Sequence, residues 1–193
     1  MSGLNDILGQ LMQPGTLNTV SERTGVPPSA AASVVASALP LLVGALARNA
    51  QSQDGAASLA TALNRDHDGS VLDNLTGFLG SGQAPSMGDA ILGHVFGNRT
   101  GTVTNALGRT AGVDAGQAGQ ILAMLAPLVL GALGRQTRQE GIGPDQLQGR
   151  LQAERTQLES ASPMGGMLTQ LLDQDGDGSV MDDVADLAKR FLR

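Results

Sequence analysis

The stretch Ala38-Leu39-Pro40-Leu41-Leu42-Val43-Gly44-Ala45-Leu46-Ala47-Arg48 returns further along the chain as Leu125-Ala126-Pro127-Leu128-Val129-Leu130-Gly131-Ala132-Leu133-Gly134-Arg135. Proline, glycine and arginine recur at one constant offset. The glycine–valine pairs that open the two segments, Gly25-Val26 and Gly112-Val113, keep the same offset. Upstream, Ile7-Leu8-Gly9-Gln10-Leu11-Met12 resembles Ile91-Leu92-Gly93-His94-Val95-Phe96. Self-similarity at this spacing marks a repeated supersecondary unit, here covering roughly residues 4–48 and 88–135.

Each unit reads as three helices. A short amphipathic helix (4–12; 89–96) leads to a second (17–24; 103–111) that ends at Gly25 or Gly112, the residue type suited to a left-handed C-cap. The third helix is long. Asp114 is its N-cap in the second unit, and Pro28 takes the first helical position in the other. Pro40 and Pro127 fall inside these helices, where each removes one ladder hydrogen bond and bends the axis.

Composition points the same way. The chain is 41% hydrophobic, yet its aromatic residues are three Phe, with no Trp or Tyr. A core of Ala, Leu, Val, Ile and Met suits close helix packing, and the 27 glycines suit helix stops and close crossings. The expected fold is all-α, with two pseudo-repeated bundles packed through their Pro-kinked central helices. The expected units are residues 1–80 and 81–193, divided by a linker at 80–86. Connectors are expected at 49–55 and 136–144, a short helix at 56–63, and a polar, exposed helix at 146–159.

A formal charge of −6, with every basic residue but Lys189 an arginine and none gathered in a stripe, argues against nucleic acid as a partner. Zero cysteines exclude disulfides, thiolate metal sites and Cys nucleophiles. The N-terminus shows no basic region before an apolar run, so no signal peptide is read and a cytoplasmic location is expected. Residues 30–47 carry no charge, but Ser33, Ser37, Pro40 and Gly44 make a buried central helix the better reading than a membrane span.

A second recurrent element carries chemistry. Asn64-Arg65-Asp66-His67-Asp68-Gly69-Ser70-Val71-Leu72-Asp73 matches Asp173-Gln174-Asp175-Gly176-Asp177-Gly178-Ser179-Val180-Met181-Asp182, and each lies between apolar helical stretches. That is the layout of an EF-hand, whose alternate side chains turn oxygens onto calcium while glycine at position six takes the sharp turn. The ligand candidates are Asp173, Asp175, Asp177 and Asp182, and Asn64, Asp66, Asp68 and Asp73. The position of the bidentate twelfth ligand holds Leu75 or Val184 instead, which resembles compact loops of the DxDxDGxxxD kind.

Helix capping competes with this reading. Ser70-x-x-Asp73 and Ser179-x-x-Asp182 have the pattern of capping boxes. Capping leaves the remaining aspartates unexplained, because they repel one another unless something positive lies among them. His67 reads as a solvated loop residue and His94 as a helix-surface residue. Two histidines without cysteine make a zinc site a poor expectation. No nucleophile–base pair or phosphate loop is present, and no enzyme is expected.

The run from Leu39 to Asn49, the stretch from Leu63 to Asp73 and the closing segment from Leu171 to Asp183 together resemble the bacterial DUF937 family, to which the shorter YidB group is related. That resemblance implies a helical bacterial protein without a settled activity. The function expected from the residues is a non-enzymatic structural or interaction protein, calcium-binding through its short loops and self-associating. The alternative is a carrier of a small apolar ligand or lipid, held between the Pro40 and Pro127 bends. No membrane partner is expected.

Overall fold

The computed structural model describes residues 4–161, with side chains through Leu158. Those residues are all-helical. Helices α1 (Leu4–Leu11) and α2 (Pro14–Thr24) lead into the long α3 (Pro28–Asn49), and α4 (Gln53–Arg65) follows. A 3-10 turn (Ser70–Leu72) and the short α5 (Leu75–Gly80) precede α6 (Gln83–Phe96) and α7 (Thr100–Ala111). The longest helix, α8 (Ala115–Glu140), is followed by α9 (Pro144–Ala161).

Local chemistry sets the ends. Gly25 and Gly112 stop α2 and α7 at φ 68° and 69°, a left-handed conformation that costs glycine least. Asp114 caps α8 through a full capping box with Gln117, and Ser52 caps α4 by accepting from the Gly55 N–H at 3.1 Å. Pro14 and Pro28 sit in the first turns of α2 and α3, where a missing N–H costs nothing. Pro14 and Ser52 start α2 and α4 about one turn before the bounds read from apolar spacing, and α7 also begins one turn early, at Thr100.

Helix α8 is the axis of the core. Its residues from Ile121 to Leu133 are buried almost without interruption, and it packs on α3, α4, α6 and α7. Burying each large aliphatic side chain there contributes about 1.5–3 kcal/mol. Pro40 and Pro127 are both buried inside continuous helices. Pro127 cannot donate to the Ala123 carbonyl four residues back, and Gly88 of α6 comes against that same carbonyl so closely that a Cβ on Gly88 would collide with it. The contact between α6 and α8, the most extensive in the fold, turns on this glycine.

Three expectations are corrected. Residues 80–86 are not a linker: only Ser81 and Gly82 separate α5 from α6, whose first turns bury Ala84 and Gly88. The expected connectors at 49–55 and 136–144 shrink likewise, since α4 begins at Gln53 and α8 runs to Glu140. Helix α9 is not an exposed polar helix. Its Leu147, Leu151 and Leu158 are buried against the core, and it packs on α3 and α4. A stripe of three leucines is enough when the rest of the helix carries charge.

Helices α3 and α8 are each long and apolar enough to cross a membrane, and most of each is buried inside the fold. The apolar faces that pointed to self-association are thus largely covered by neighbouring helices. Among the described residues, the large apolar side chains left exposed are Met12 and Met87.

Candidate functional site: an acidic loop seated on the second long helix

The loop that follows α4 lies directly on α8. Gly69, at φ 83°, turns the chain, and its backbone meets Gly131 of α8. A Cβ on Gly131 would stand 2.9 Å from the Val71 Cγ2 and 3.4 Å from the Gly69 Cα. One turn further along α8, a Cβ on Gly134 would collide with the carbonyl oxygen of His67. Two glycines one turn apart form a flat seat, and the loop backbone rests on it.

Helix α8 supplies positive charge to the loop. A guanidinium nitrogen of Arg135 donates to the Gly69 carbonyl and, at 2.6 Å, to the Asp73 carboxylate. Its neighbour Arg138 donates to the backbone carbonyls of Leu63 and Asn64 at 3.4 Å. These are the carbonyls at the end of α4, where the helix dipole is negative. Asp68 accepts from the Ser70 N–H at 2.9 Å, and hydrogen bonds from Ser70, the hydroxyl first, hold its carboxyl below the ordinary aspartate value. Asp66 pairs with the adjacent Arg65 at 3.2 Å, both exposed, an ion pair that contributes little. The Asn64 amide donates back to the Ala60 carbonyl within α4.

The four expected ligands do not share one loop: Asn64 lies in the last turn of α4, while Asp66, Asp68 and Asp73 follow it, and each is engaged with the protein. Among the described residues no group of three or more His, Asp or Glu is placed to hold a metal ion. The Ser70–Asp73 capping box is not formed: Ser70 opens the 3-10 turn after Gly69, and the cap of α5 is Asn74, which accepts from the Gly77 N–H at 3.0 Å. Asn74 could have been found from sequence, since it stands directly before the apolar run at Leu75. Asp173, Asp175, Asp177 and Asp182 lie outside the described residues.

Beside the seated loop is a half-open pocket of about 380 Å³. Leu46 of α3, Leu59 and Ala62 of α4, Ile91 of α6 and Leu130 of α8 give it an apolar floor, and both histidines of the chain, His67 and His94, line it. His94 is exposed, as expected. His67 is not a fully solvated residue: it is half-buried, and burial lowers its pKa below the usual histidine value, with the Asp66 carboxylate opposing. The pairing of the histidines could not be read from sequence, because it depends on α4 and α6 both packing on α8. Pro40 and Pro127 do not line this pocket.

The polar side chains that the fold buries serve its joints. Thr24 and Thr137 donate to carbonyls in their own helices at 2.7 and 2.6 Å. Glu154 of α9, 3% exposed, accepts from Gln136 of α8 at 3.2 Å and pairs with Arg150 at 3.1 Å. Burial raises its pKa, against the opposing pull of Arg150 and the Leu4 N–H. Its second carboxylate oxygen and the Arg150 Nε are buried, with no hydrogen-bond partner among the described residues.

A family model described as a bacterial protein of unknown function, DUF937, matches residues 6–136. The match spans α3, the seated loop and the stretch of α8 that receives it. No curated protein and no solved structure matches the chain.

Proposed function

The chain belongs to the bacterial DUF937 family, and on that premise we propose that it is a non-enzymatic structural or interaction protein. In this reading, residues 1–80 and 81–193 are two repeated helical units fastened together by their acidic loops, and the assembled protein self-associates. The first loop is an internal clasp. The second loop, through Asp173, Asp175, Asp177 and Asp182, binds calcium.

The observation that carries the reading is the Arg135 guanidinium between the Gly69 carbonyl and the Asp73 carboxylate. An EF-hand puts a cation among its loop oxygens; here an arginine of α8 supplies positive charge to two of them. The second loop has an aspartate at Asp173 where the first has Asn64, so it offers a cation one more carboxylate. The buried pair Gln136 and Glu154 binds α8 to α9, which is what a scaffold needs.

The test is the thermal unfolding midpoint in EDTA and in millimolar calcium or magnesium. Calcium raises the midpoint of the native chain and of Asp66→Asn/Asp68→Asn, but not of Asp175→Asn/Asp177→Asn. A rise abolished by the first-loop pair, or no rise in the native chain, removes calcium from the proposal. Sedimentation velocity over a concentration series tests self-association, and a monomer at all concentrations ends that part.

The pocket favours a second reading, a carrier of a small apolar ligand. Its volume lies at the lower end of the range for small-molecule sites, and its floor is aliphatic with a few polar groups at the wall. Ala62→Phe fills it. A carrier binds a fluorescent apolar probe in this pocket, and the filled variant does not.

A further inference from the structure

Four helices and a loop close on the half-open pocket beside Gly69, and polarity changes from its floor to its mouth. Leu46 of α3, Val95 of α6 and Leu130 of α8 are buried. Asn49, Ser58 and His94 are exposed, and His67 is half-buried. One of these polar groups is already committed. The Asn49 amide donates to the Val95 carbonyl at 3.3 Å and to the His94 carbonyl at 3.5 Å, which fastens the end of α3 to the last turn of α6. The side chains of Ser58, His67 and His94 make no hydrogen bond among the described residues, so they are available to a ligand.

Charge narrows the class of ligand. Among the described residues that line the pocket none is Asp, Glu, Lys or Arg, so its ionisable groups are the two imidazoles. An ammonium group taken out of water there meets no carboxylate, and an unpaired desolvated cation is costly. A carboxylate is offered imidazole N–H groups and the Ser58 hydroxyl, and hydrogen bonds to an ionised acceptor are stronger than neutral ones. Asp66, which precedes His67, is exposed and paired with Arg65, which offsets its charge.

We propose, on the footing that this pocket is a ligand site, that its ligand is a small aliphatic carboxylic acid bound as the anion. The alkyl chain lies on the aliphatic floor and the carboxylate stands at the mouth, where His67 and His94 donate to it. Size agrees with this occupant. At about 30 Å³ per heavy atom, roughly the share of one water in the liquid, the pocket of about 380 Å³ holds about a dozen heavy atoms. Octanoate is of that size.

Calorimetric titration of the full chain with octanoate, octanol and octylamine is the test. Octanoate should bind about ten-fold more tightly than octanol, because a charged acceptor outweighs a neutral one, and octylamine should bind least. His67→Leu/His94→Leu should erase the preference for the acid while octanol still binds, and Ala62→Phe should remove all three. Octanol or octylamine binding as tightly as octanoate overturns the proposal, as does an acid preference that survives either variant. In those cases an uncharged fluorescent apolar probe, displaced from the native chain and absent from Ala62→Phe, still upholds the pocket as a ligand site. Binding of none of the three overturns the proposal, and failure of the uncharged probe as well removes the carrier reading with it. Should the leucine pair not fold, the single His94→Leu on the exposed face of α6 decides: an acid preference left unchanged overturns the proposal.

Discussion

Arg135 of α8 reaches Asp73, 62 residues earlier in the chain, with a guanidinium nitrogen 2.6 Å from the carboxylate, while the same nitrogen holds the carbonyl of Gly69. One side chain thereby joins α8 to the turn that follows α4. Arg135 is about one-third exposed and Asp73 mostly exposed, so the pair contributes through geometry more than through raw Coulomb energy. It sets the register in which the loop lies on Gly131 and Gly134.

That register predicts opposite outcomes for two glycines. Gly134→Ala drives a methyl group into the His67 carbonyl and should cost about 1–3 kcal/mol or more. Gly93→Ala, on the exposed face of α6 with nothing within 4 Å of the new Cβ, should stabilise by about 0.5–1 kcal/mol. Urea unfolding of both variants checks this. Equal effects would mean that the loop does not rest on α8.

Much of this was legible in the sequence for reasons that are local. The two long helices follow from unbroken apolar runs, and the glycine stops at Gly25 and Gly112 from the αL preference of a single residue. Asp114 announces its own cap. What was not legible depends on which surfaces meet. Arg135 reads as the final residue of a repeat until α8 is placed beside the loop, and only then does it become the cation among the aspartates. The burial of α9 rests on Leu147, Leu151 and Leu158, whose stripe is outweighed in any average over so polar a helix. The shared pocket of His67 and His94 needs α4 and α6 in contact with the same helix.

Two buried or half-buried groups give opposite pH dependences. The folded-state pKa of Glu154 is raised above 4.5, so the stability it contributes is full below 4.5 and is lost as pH rises through the folded value. That of His67 is lowered below 6.5, so its contribution is full above 6.5 and is lost as pH falls through the folded value. Between those limits the slopes oppose. Calorimetry of His67→Gln should show a midpoint that falls with rising pH across this window, and of Glu154→Gln one that rises. Parallel profiles for the two variants would contradict the placement of both groups.

The contact of Gly88 with the Ala123 carbonyl gives a third expectation. Gly88→Ala must push α6 away from α8, opening the most extensive helix contact in the fold, and should cost about 1–3 kcal/mol or more. Restoring the missing donor by Pro127→Ala lets the Ala123 carbonyl turn into its own helix, and combining the two changes should cost less than their sum. Strict additivity in a thermal double-mutant cycle would sever the link between the proline and the glycine.

The central claim, that an arginine of α8 is the positive partner of the first acidic loop, is tested most directly by a double-mutant cycle. Unfolding free energies of Asp73→Asn, Arg135→Met and the double variant are measured in EDTA and again in millimolar calcium. A favourable coupling of about 0.2–1 kcal/mol between Asp73 and Arg135 is expected, the same in both media. Additive effects, or a coupling that vanishes when calcium is present, would mean that the loop's charge is met by something other than Arg135.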